Sequence, residues 1–191
     1  MSYEEDYYKT LNYSDYLSRG IRYEKTAEEL SSLLKSVGLL HSDSTILDYG
    51  CAVGFLTKAL SDLGYKAVGF DISEWATTKA KSRGVSIIEN PKGSFDCAFY
   101  LDVLEHMTDD QILKVFKNVK SKSSIIRIPC STDGGKTYHL NVSNQDKTHI
   151  NCKTKEEWKI FFYSLGVKTI LHLNTLTVYD TEGVFCALLL P

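Results

Sequence analysis

The stretch that decides the fold is Ser44-Thr-Ile-Leu-Asp-Tyr-Gly-Cys-Ala-Val-Gly-Phe55, where an apolar run ends at Asp48 and enters a turn containing Gly50, Ala52 and Gly54. The composition predicts a strand, a turn of small residues and then a helix. Glycines allow backbone to approach a ligand closely, and the N–H groups at a helix N-terminus face outward. The turn therefore predicts a ligand site at the carboxyl edge of a sheet, although the same glycines also suit a tight strand-to-helix corner.

Strand-like and helix-like segments alternate around this turn. Apolar residues at helical spacing predict a first helix between Ile21 and Leu40, with Gly38 as its stop signal. The later predicted helices are residues 54–63, 74–83, 109–119 and 155–165, and the predicted strands are residues 45–49, 67–70, 85–88, 96–100, 124–128, 167–179 and 184–190. Because most strands are apolar on both faces, the pattern predicts an α/β fold with a mostly parallel, seven-stranded sheet and helices on both faces.

The pattern is irregular in two places. Six residues separate Ile88 from Phe95, fewer than the dozen or so that a helical crossover needs. Either these two strands lie on opposite sides of the first strand, joined by a tight loop, or the crossover is abbreviated. Near the C-terminus, Asp180-Thr-Glu-Gly183 lies between two β-rich runs and predicts an antiparallel hairpin.

Length and organisation predict one domain over residues 1–191. A chain of 191 residues can bury one complete core and is short for two. Residues 1–40 form a helical segment whose start is rich in tyrosine, including Tyr13, and we expect it to pack on the rest of the chain as a lid. Residues 44–191 form the core.

Composition limits the kinds of site, partner and cellular location that the protein can have. The five cysteines show no Cys-x-x-Cys pair, which argues against a disulfide framework or a structural zinc site and favours reduced thiols. A formal net charge of −2 gives no overall attraction for nucleic acid. No apolar run approaches the roughly 20 residues that span a bilayer, and the acidic, aromatic N-terminus lacks the features of a secretory signal. We expect a cytoplasmic protein without a membrane partner; its oligomeric state stays open.

Asp71 indicates the kind of ligand. It ends the second predicted strand, 17 positions after Gly54, where a carboxylate accepts hydrogen bonds from both hydroxyls of a ribose. The GxxxxGK[ST] phosphate loop is absent, and so is the G-x-G-x-x-G dinucleotide pattern. The sequence therefore predicts a nucleoside ligand.

Three motifs together resemble a known family. Residues 46–55, 68–73 and 96–107 look like the corresponding motifs of the class I S-adenosylmethionine-dependent methyltransferases, and the likeness in order of elements extends over roughly residues 25–190. The resemblance implies a Rossmann-like, doubly wound fold, S-adenosylmethionine as the cofactor and methyl transfer to a small-molecule acceptor. Ala52 departs from the family pattern, which has glycine there. Because alanine adds one methyl group, we expect a small adjustment of the loop and no loss of the cofactor.

The resemblance also implies roles for individual residues. The turn, with Asp48, Gly50, Cys51, Ala52 and Gly54, would hold the amino-acid end of the cofactor. Asp71 would bind the ribose, with Ile72 against the adenine and Glu89 or Asn90 near the adenine amino group. The end of the fourth strand would line the methyl-donor pocket with Tyr100, Leu101 and Asp102.

Methyl transfer requires alignment of the acceptor and, for some acceptors, removal of a proton. The candidate bases are His106 and His149, each with an alternative structural role near the cofactor or in ordering a loop. Asp102, Glu105 and His106 also resemble a Glu/His cluster that holds a divalent metal in some family members, but the same carboxylates suit helix capping, and we expect no metal. Tyr138, His139, Asn141 and Arg127 are further candidates for the acceptor site.

Two other functions fit the same sequence. One is a methyltransferase that acts on RNA or protein, although no added domain or base-methylation motif of the Asn-Pro-Pro-Tyr type follows the fourth strand. The other is a methyltransferase-like binding protein without turnover.

Overall fold

The computed structural model describes residues 3–9 and 16–191. The predicted lid segment is therefore described in part, and Tyr13 lies outside the described residues. The helices are α1 (Gly20–Ser36), α2 (Phe55–Asp62), α3 (Glu74–Ser82), α4 (Asp109–Asn118), α5 (Asn141–Gln145) and α6 (Lys155–Ser164). The strands are β1 (Thr45–Tyr49), β2 (Lys66–Phe70), β3 (Gly93–Leu101), β4 (Val119–Pro129), β5 (Thr169–His172) and β6 (Val184–Leu190).

The described strands form one mixed sheet in the order β2-β1-β3-β4-β6-β5. The β1–β2, β1–β3 and β3–β4 pairs are parallel, whereas β6 pairs antiparallel with both β4 and β5. The α/β fold, the parallel part of the sheet and the antiparallel C-terminal pair are therefore confirmed. Parallel strands place their carboxyl ends at one edge, so β1 to β4 all deliver their last residues to the same side of the molecule.

The prediction of seven strands is wrong, because the segment 85–88 makes only a bridge. Ile87 pairs with Gly69 of β2, through hydrogen bonds of 2.9 Å from Gly69 N to Ser86 O and from Ile88 N to Gly69 O. Pro91 follows shortly afterwards and cannot donate a backbone hydrogen bond to a ladder. The chain then leads into β3 with no helix between residues 83 and 92, as expected from the short connection.

Two hydrophobic layers cover the sheet, one on each face, because successive residues of a strand point in opposite directions. Ile46 of β1 packs in the layer that includes residues of α1 and α2 (Leu30, Leu34, Leu56 and Leu60). Leu47 packs in the other layer, which includes residues of α4 and α6 (Ile112, Val115, Trp158 and Phe162). Helices on both faces are confirmed.

Local signals explain where the helices begin and end. α4 and α6 each start with a capping box, formed by Thr108 with Gln111 and by Thr154 with Glu157. α1 ends just before Gly38, whose φ of 74° lies in the left-handed region that glycine adopts without strain. None of the described helices combines the length and the apolar character needed to cross a bilayer.

Candidate functional site

A cavity of about 650 Å3 lies at the carboxyl edge of the sheet. One end, called the glycine-turn end here, is lined by Asp48, Gly50, Cys51, Ala52, Asp71 and Ile72. The other, called the histidine end, is lined by Tyr3, Tyr7, Glu105, His106, Asp146 and His149. The cavity thus joins the turn after β1 to both predicted histidines.

The glycines of the turn are required by packing inside the protein. A Cβ on Gly50 would lie 2.6 Å from Cγ2 of Val103, and its φ is 81°. A Cβ on Gly54, which has a φ of 79° at the N-cap of α2, would lie 2.9 Å from atoms of Ala80 and Val85. Gly50 also lines the cavity, whereas Gly54 is not part of the described cavity wall. The structural reason for glycine at both positions is therefore close packing as well as backbone conformation.

Asp71 fastens the turn from the neighbouring strand. Its Oδ2 accepts a hydrogen bond from the N–H of Ala52, and its Oδ1 accepts one from the N–H of Ser73, both at 2.8 Å. Burial raises the pKa of Asp71, and these backbone hydrogen bonds act against that rise. The backbone of Ile72 also acts to lower this pKa, and since an ionised carboxylate offers about four acceptor positions, Asp71 retains some acceptor capacity for a ligand.

Ala52 adopts a φ of 47°, in the left-handed region that L-residues with a Cβ rarely occupy. The turn thus keeps a glycine-like conformation without glycine. The bond to Asp71 holds this conformation, at a cost of about 1–2 kcal/mol for the left-handed residue.

Asp48 is the buried carboxylate of this end, 4% exposed. Burial raises its pKa to about 6, and the hydroxyl of Thr57, which donates to its Oδ2 at 2.7 Å, acts against that rise. The strand end therefore presents to the cavity an acid that is mostly ionised at pH 7 and half protonated near pH 6.

The other predicted cofactor residues divide into two groups. Ile72, which is 72% exposed, and Asn90, Leu101 and Asp102 line the cavity. Tyr100 is buried in the core and stacks on Phe116, and neither Tyr100 nor Glu89 belongs to the described cavity wall.

Asp102 and Arg127 form an ion pair at the ends of β3 and β4. The Asp102 carboxylate raises the pKa of Arg127, and the Asp102 N–H donates to the Arg127 backbone oxygen at 2.8 Å. Asp102 has a φ of 55°, a conformation that Asp tolerates better than most residues. Arg127 thus neutralises a carboxylate in the cavity wall.

His106 lies at the histidine end, in the 3₁₀ turn Leu104–His106. Its Nδ1 lies 2.9 Å from Oγ1 of Thr148 and 3.3 Å from both the backbone oxygen of Thr148 and the hydroxyl of Tyr3. Burial, together with the adjacent His149, lowers the pKa of His106 to about 4, so the ring is neutral near pH 7.

The His149 ring lies close to two acidic side chains without a short contact to either. Its Nε2 is 3.6 Å from Oδ2 of Asp146 and 3.9 Å from Oε1 of Glu105. Glu105 is 1% exposed, and neither of its carboxyl oxygens has a hydrogen-bond partner among the described residues. Burial raises the pKa of Glu105 well above its usual value, with repulsion from Asp102 adding to the rise, and so favours its neutral form.

Glu105, His106 and His149 are the described residues that could together hold a metal ion, with donor atoms within 4.8 Å of one another. Ligand atoms around one Zn²⁺, each about 2.0–2.2 Å from the ion, lie about 3.4 Å apart. The three side chains would therefore have to move closer together to share an ion. We assign no metal to this cluster.

Tyrosines from the N-terminal segment complete the histidine end. The hydroxyl of Tyr7 donates to Oδ2 of Asp146 at 3.0 Å, and the backbone oxygen of Tyr3 accepts from the hydroxyl of Ser73. Tyr8 stacks on Trp75 of α3 with ring centroids 5.1 Å apart. These contacts could not be assigned from the sequence, where the tyrosine-rich composition was the only signal of packing.

The loop after β4 lines the cavity with residues other than the predicted Tyr138, His139 and Asn141. Tyr138 is buried with its ring 5.2 Å from that of His149, but it is not part of the described cavity wall. His139 packs against Gly183, and Asn141 begins α5 outside the wall. Residues nearby in sequence, Leu140 and Val142, line the cavity instead.

Comparisons with known proteins agree with this architecture. A family model described as a methyltransferase domain matches residues 19–166. No curated protein sequence matches the chain.

Solved structures of methyltransferases have the same fold. An S-adenosylmethionine-dependent methyltransferase from Archaeoglobus fulgidus superposes with a TM-score of 0.65 and 14% identity, over 94% of this chain and 100% of its own. Magnesium protoporphyrin IX methyltransferase from Synechocystis PCC 6803, solved with bound SAH, gives 0.63 and 15%, over 97% and 96% of the two chains. The methyltransferase domain of a bacterial Hen1 protein gives 0.60 and 18%, over 89% and 98%.

Proposed function

The chain belongs to the methyltransferase-domain family, and we propose that it transfers a methyl group from S-adenosylmethionine to a small-molecule acceptor. The observation that carries the proposal is the continuous cavity, which runs from the ribose-type carboxylate of Asp71 to the buried histidines His106 and His149. Its volume of about 650 Å3 is within the range of about 300–1,000 Å3 that is typical of small-molecule sites.

The residues of the glycine-turn end fit the cofactor. In this proposal Asp71 accepts hydrogen bonds from the ribose hydroxyls, and the exposed side chain of Ile72 packs on the adenine, with Asn90 near it. Asp48 and the backbone of Gly50, Cys51 and Ala52 bind the amino-acid end. S-adenosylmethionine supplies an electrophilic methyl group on a sulfonium, which an aligned acceptor atom displaces in line.

The residues of the histidine end suit the acceptor. A neutral imidazole can take a proton from an acceptor hydroxyl or amine, and both His106 and His149 have a lowered pKa because they are buried. In this proposal the N-terminal segment acts as a lid, because Tyr3 and Tyr7 reach across the cavity. A covered cavity and a net charge of −2 both favour a small acceptor over a polyphosphate chain. The proposal includes the cytoplasmic location, to which five free cysteines are suited.

Cofactor binding and methyl transfer are tested separately. Calorimetry with S-adenosylhomocysteine should give a dissociation constant in the micromolar range or below, and a failure to bind at millimolar concentration would remove the whole proposal. Radiolabelled S-adenosylmethionine is then offered with a panel of phenols, amines and carboxylic acids, with total RNA, and with total protein. Label in a small molecule supports the proposal, whereas label in RNA or protein overturns the acceptor class. Binding without any transfer would identify a binding protein.

A further inference from the structure

The hydroxyl of Thr148 lies between a buried acid and His106. Its Oγ1 is 2.5 Å from Oδ1 of Asp146 and 2.9 Å from Nδ1 of His106. The backbone N–H of Thr148 also donates to Oδ1 of Asp146, at 2.9 Å. Thr148 and Asp146 are 8% and 7% exposed, so water has little access to compete for these contacts. No sequence pattern singles out Thr148.

The positions of the protons between Asp146, Thr148 and His106 follow from their hydrogen-bonding capacity. Burial acts to raise the pKa of Asp146, but hydrogen bonds from Thr148, the charge interaction with His149 and the hydrogen bond from Tyr7 outweigh it and hold that pKa below its usual value. An ionised carboxylate only accepts, so the single hydroxyl proton of Thr148 points to Asp146. Oγ1 of Thr148 must then accept a hydrogen bond from Nδ1–H of His106. The backbone oxygen of Thr148, 3.3 Å from Nδ1, is also only an acceptor and requires the same proton.

The proton on Nδ1 leaves the lone pair of the neutral ring on Nε2. We propose that Asp146 and Thr148 are positioning residues, which hold His106 with its proton on Nδ1 so that Nε2 takes the proton of the methyl acceptor. This inference rests on the proposed function and deepens it by selecting one base. The acceptor proton passes to Nε2, and the electron pair of that O–H or N–H bond forms the bond to the methyl carbon. The pair of the breaking carbon–sulfur bond stays on sulfur.

His149 lacks a comparable arrangement. Its Nε2 distances of 3.6 Å to Asp146 and 3.9 Å to Glu105 are too long for hydrogen bonds, and its Nδ1 is buried without a partner among the described residues. A hydrogen bond with the backbone of Ser143 acts to raise the pKa of the His149 ring, but no side-chain contact comparable to that of Thr148 with His106 is present among the described residues. The base is therefore assigned to His106, against which the His149 ring packs with centroids 4.6 Å apart.

The titratable groups around His106 come from several segments. Asp146 raises its pKa, His149 lowers it, Glu105 precedes it in the chain, and the Tyr3 hydroxyl lies 3.3 Å from Nδ1. When Nε2 takes a proton, the ring becomes positive and is linked through Thr148 to the Asp146 carboxylate. These hydrogen bonds therefore stabilise the product of the proton transfer.

The test compares Thr148→Val, which removes the hydroxyl at nearly constant shape, with Thr148→Ser, which keeps it. Nitrogen–proton correlation spectra of the cofactor-free protein report which ring nitrogen is protonated. The wild type and Thr148→Ser should show more than 90% of the Nδ1–H tautomer, and Thr148→Val should shift His106 toward a mixture. Asp146→Asn should do the same if the valine variant fails to fold. A wild-type spectrum with the proton on Nε2, or no change in either variant, would overturn the proposal.

Two further measurements challenge the role of Nε2. With any acceptor found in the panel above, Thr148→Val should lower kcat about 10-fold at unchanged KM, and Thr148→Ser should stay within about 3-fold. Equal losses in both variants would contradict the assignment. Titration with ZnCl2 should leave the His106 nitrogen signals unchanged at micromolar concentration, whereas saturable shifts of His106 and His149 would make them metal ligands. Because the spectra need no cofactor, failure of this inference is distinguishable from a failure to bind S-adenosylhomocysteine.

Discussion

The glycine-turn end of the cavity is built from residues 48–72, which are close in sequence, whereas the histidine end combines residues 3–7, 105–106 and 146–149. Backbone groups hold the first end together: the N–H groups of Gly50 and Cys51 both donate to the Phe70 oxygen, at 2.7 and 3.0 Å. Side-chain contacts hold the second end together. Those made by Tyr3 and Tyr7 join residues about one hundred or more positions apart in sequence. The two ends therefore differ in how directly the sequence specifies them.

The difference explains what the sequence could predict. A strand, a turn and a helix in immediate succession identify the glycine-turn end, because each follows from residues within a short window. The hydrogen bonds at the histidine end depend on which distant segments of the chain meet. No local pattern predicts that Thr148 contacts His106 or that Tyr7 contacts Asp146. The same limit explains the error in strand number, since whether residues 85–88 extend a ladder depends on their edge partner β2 and on Pro91.

The largest expected effect tests whether backbone packing fixes the glycine-turn end. Gly50→Ala should lower the free energy of unfolding by about 3–4 kcal/mol, because its Cβ would collide with Val103 and its φ is 81°. Gly38→Ala is the matched control, with a φ of 74° and nothing within 4 Å of the new Cβ, and should cost about 1 kcal/mol. Urea unfolding measures both. Equal losses of unfolding free energy in the two variants would mean that Val103 moves aside and that packing does not fix the conformation of the turn.

The next prediction concerns the buried acid of the glycine-turn end and its pH dependence. The Asp48 carboxyl has a pKa of about 6 in the folded protein, against about 3.9 in the unfolded chain. Below pH 4 both states are protonated and its stabilising contribution is fully present. As the pH rises through 6 that contribution is lost, by about 3 kcal/mol.

Asp48→Asn removes this titration while leaving an oxygen to accept from Thr57. The unfolding free energy of the wild type minus that of the variant should therefore fall between pH 4 and 7. Urea unfolding at each pH measures it, with Asp43→Asn, on the exposed loop before β1, as the control. A difference that stays flat with pH would show that Asp48 is ionised without cost and that this end is more hydrated than the structure indicates.

Asp71→Ala tests whether the carboxylate that fastens the turn also binds the ligand. The dissociation constant for S-adenosylhomocysteine should rise about 10- to 150-fold, which corresponds to about 1.5–3 kcal/mol for lost hydrogen bonds to a charged group. Asp62→Ala removes the same charge from the exposed end of α2 and should leave the affinity unchanged. Calorimetry compares the two variants. Unchanged affinity in Asp71→Ala would limit this residue to holding the backbone of Ala52 and Ser73.

The smallest expected effect comes from the histidine end, where single side-chain contacts can be removed without disturbing the turn. Tyr7→Phe deletes the hydroxyl that donates to Asp146 and keeps the ring. Because Tyr7 is only half-buried and Asp146 retains two hydrogen bonds from Thr148, the unfolding free energy should fall by about 1 kcal/mol. Affinity for S-adenosylhomocysteine should stay within about 2-fold of the wild type, since Asp71 and the glycine turn are untouched.

Tyr163→Phe, on the exposed surface of α6 and 51% accessible, provides the matched control and should change neither quantity. If Tyr7→Phe weakened the binding of S-adenosylhomocysteine as strongly as Asp71→Ala, the two ends would act as one unit. The N-terminal tyrosines would then close over the bound cofactor. A stability change confined to Tyr7→Phe, with affinity retained, would instead mean that the N-terminal segment is anchored at the histidine end alone. Under the proposed function, the acceptor could then enter and leave while the glycine-turn end, held by its own backbone and by Asp71, keeps its shape.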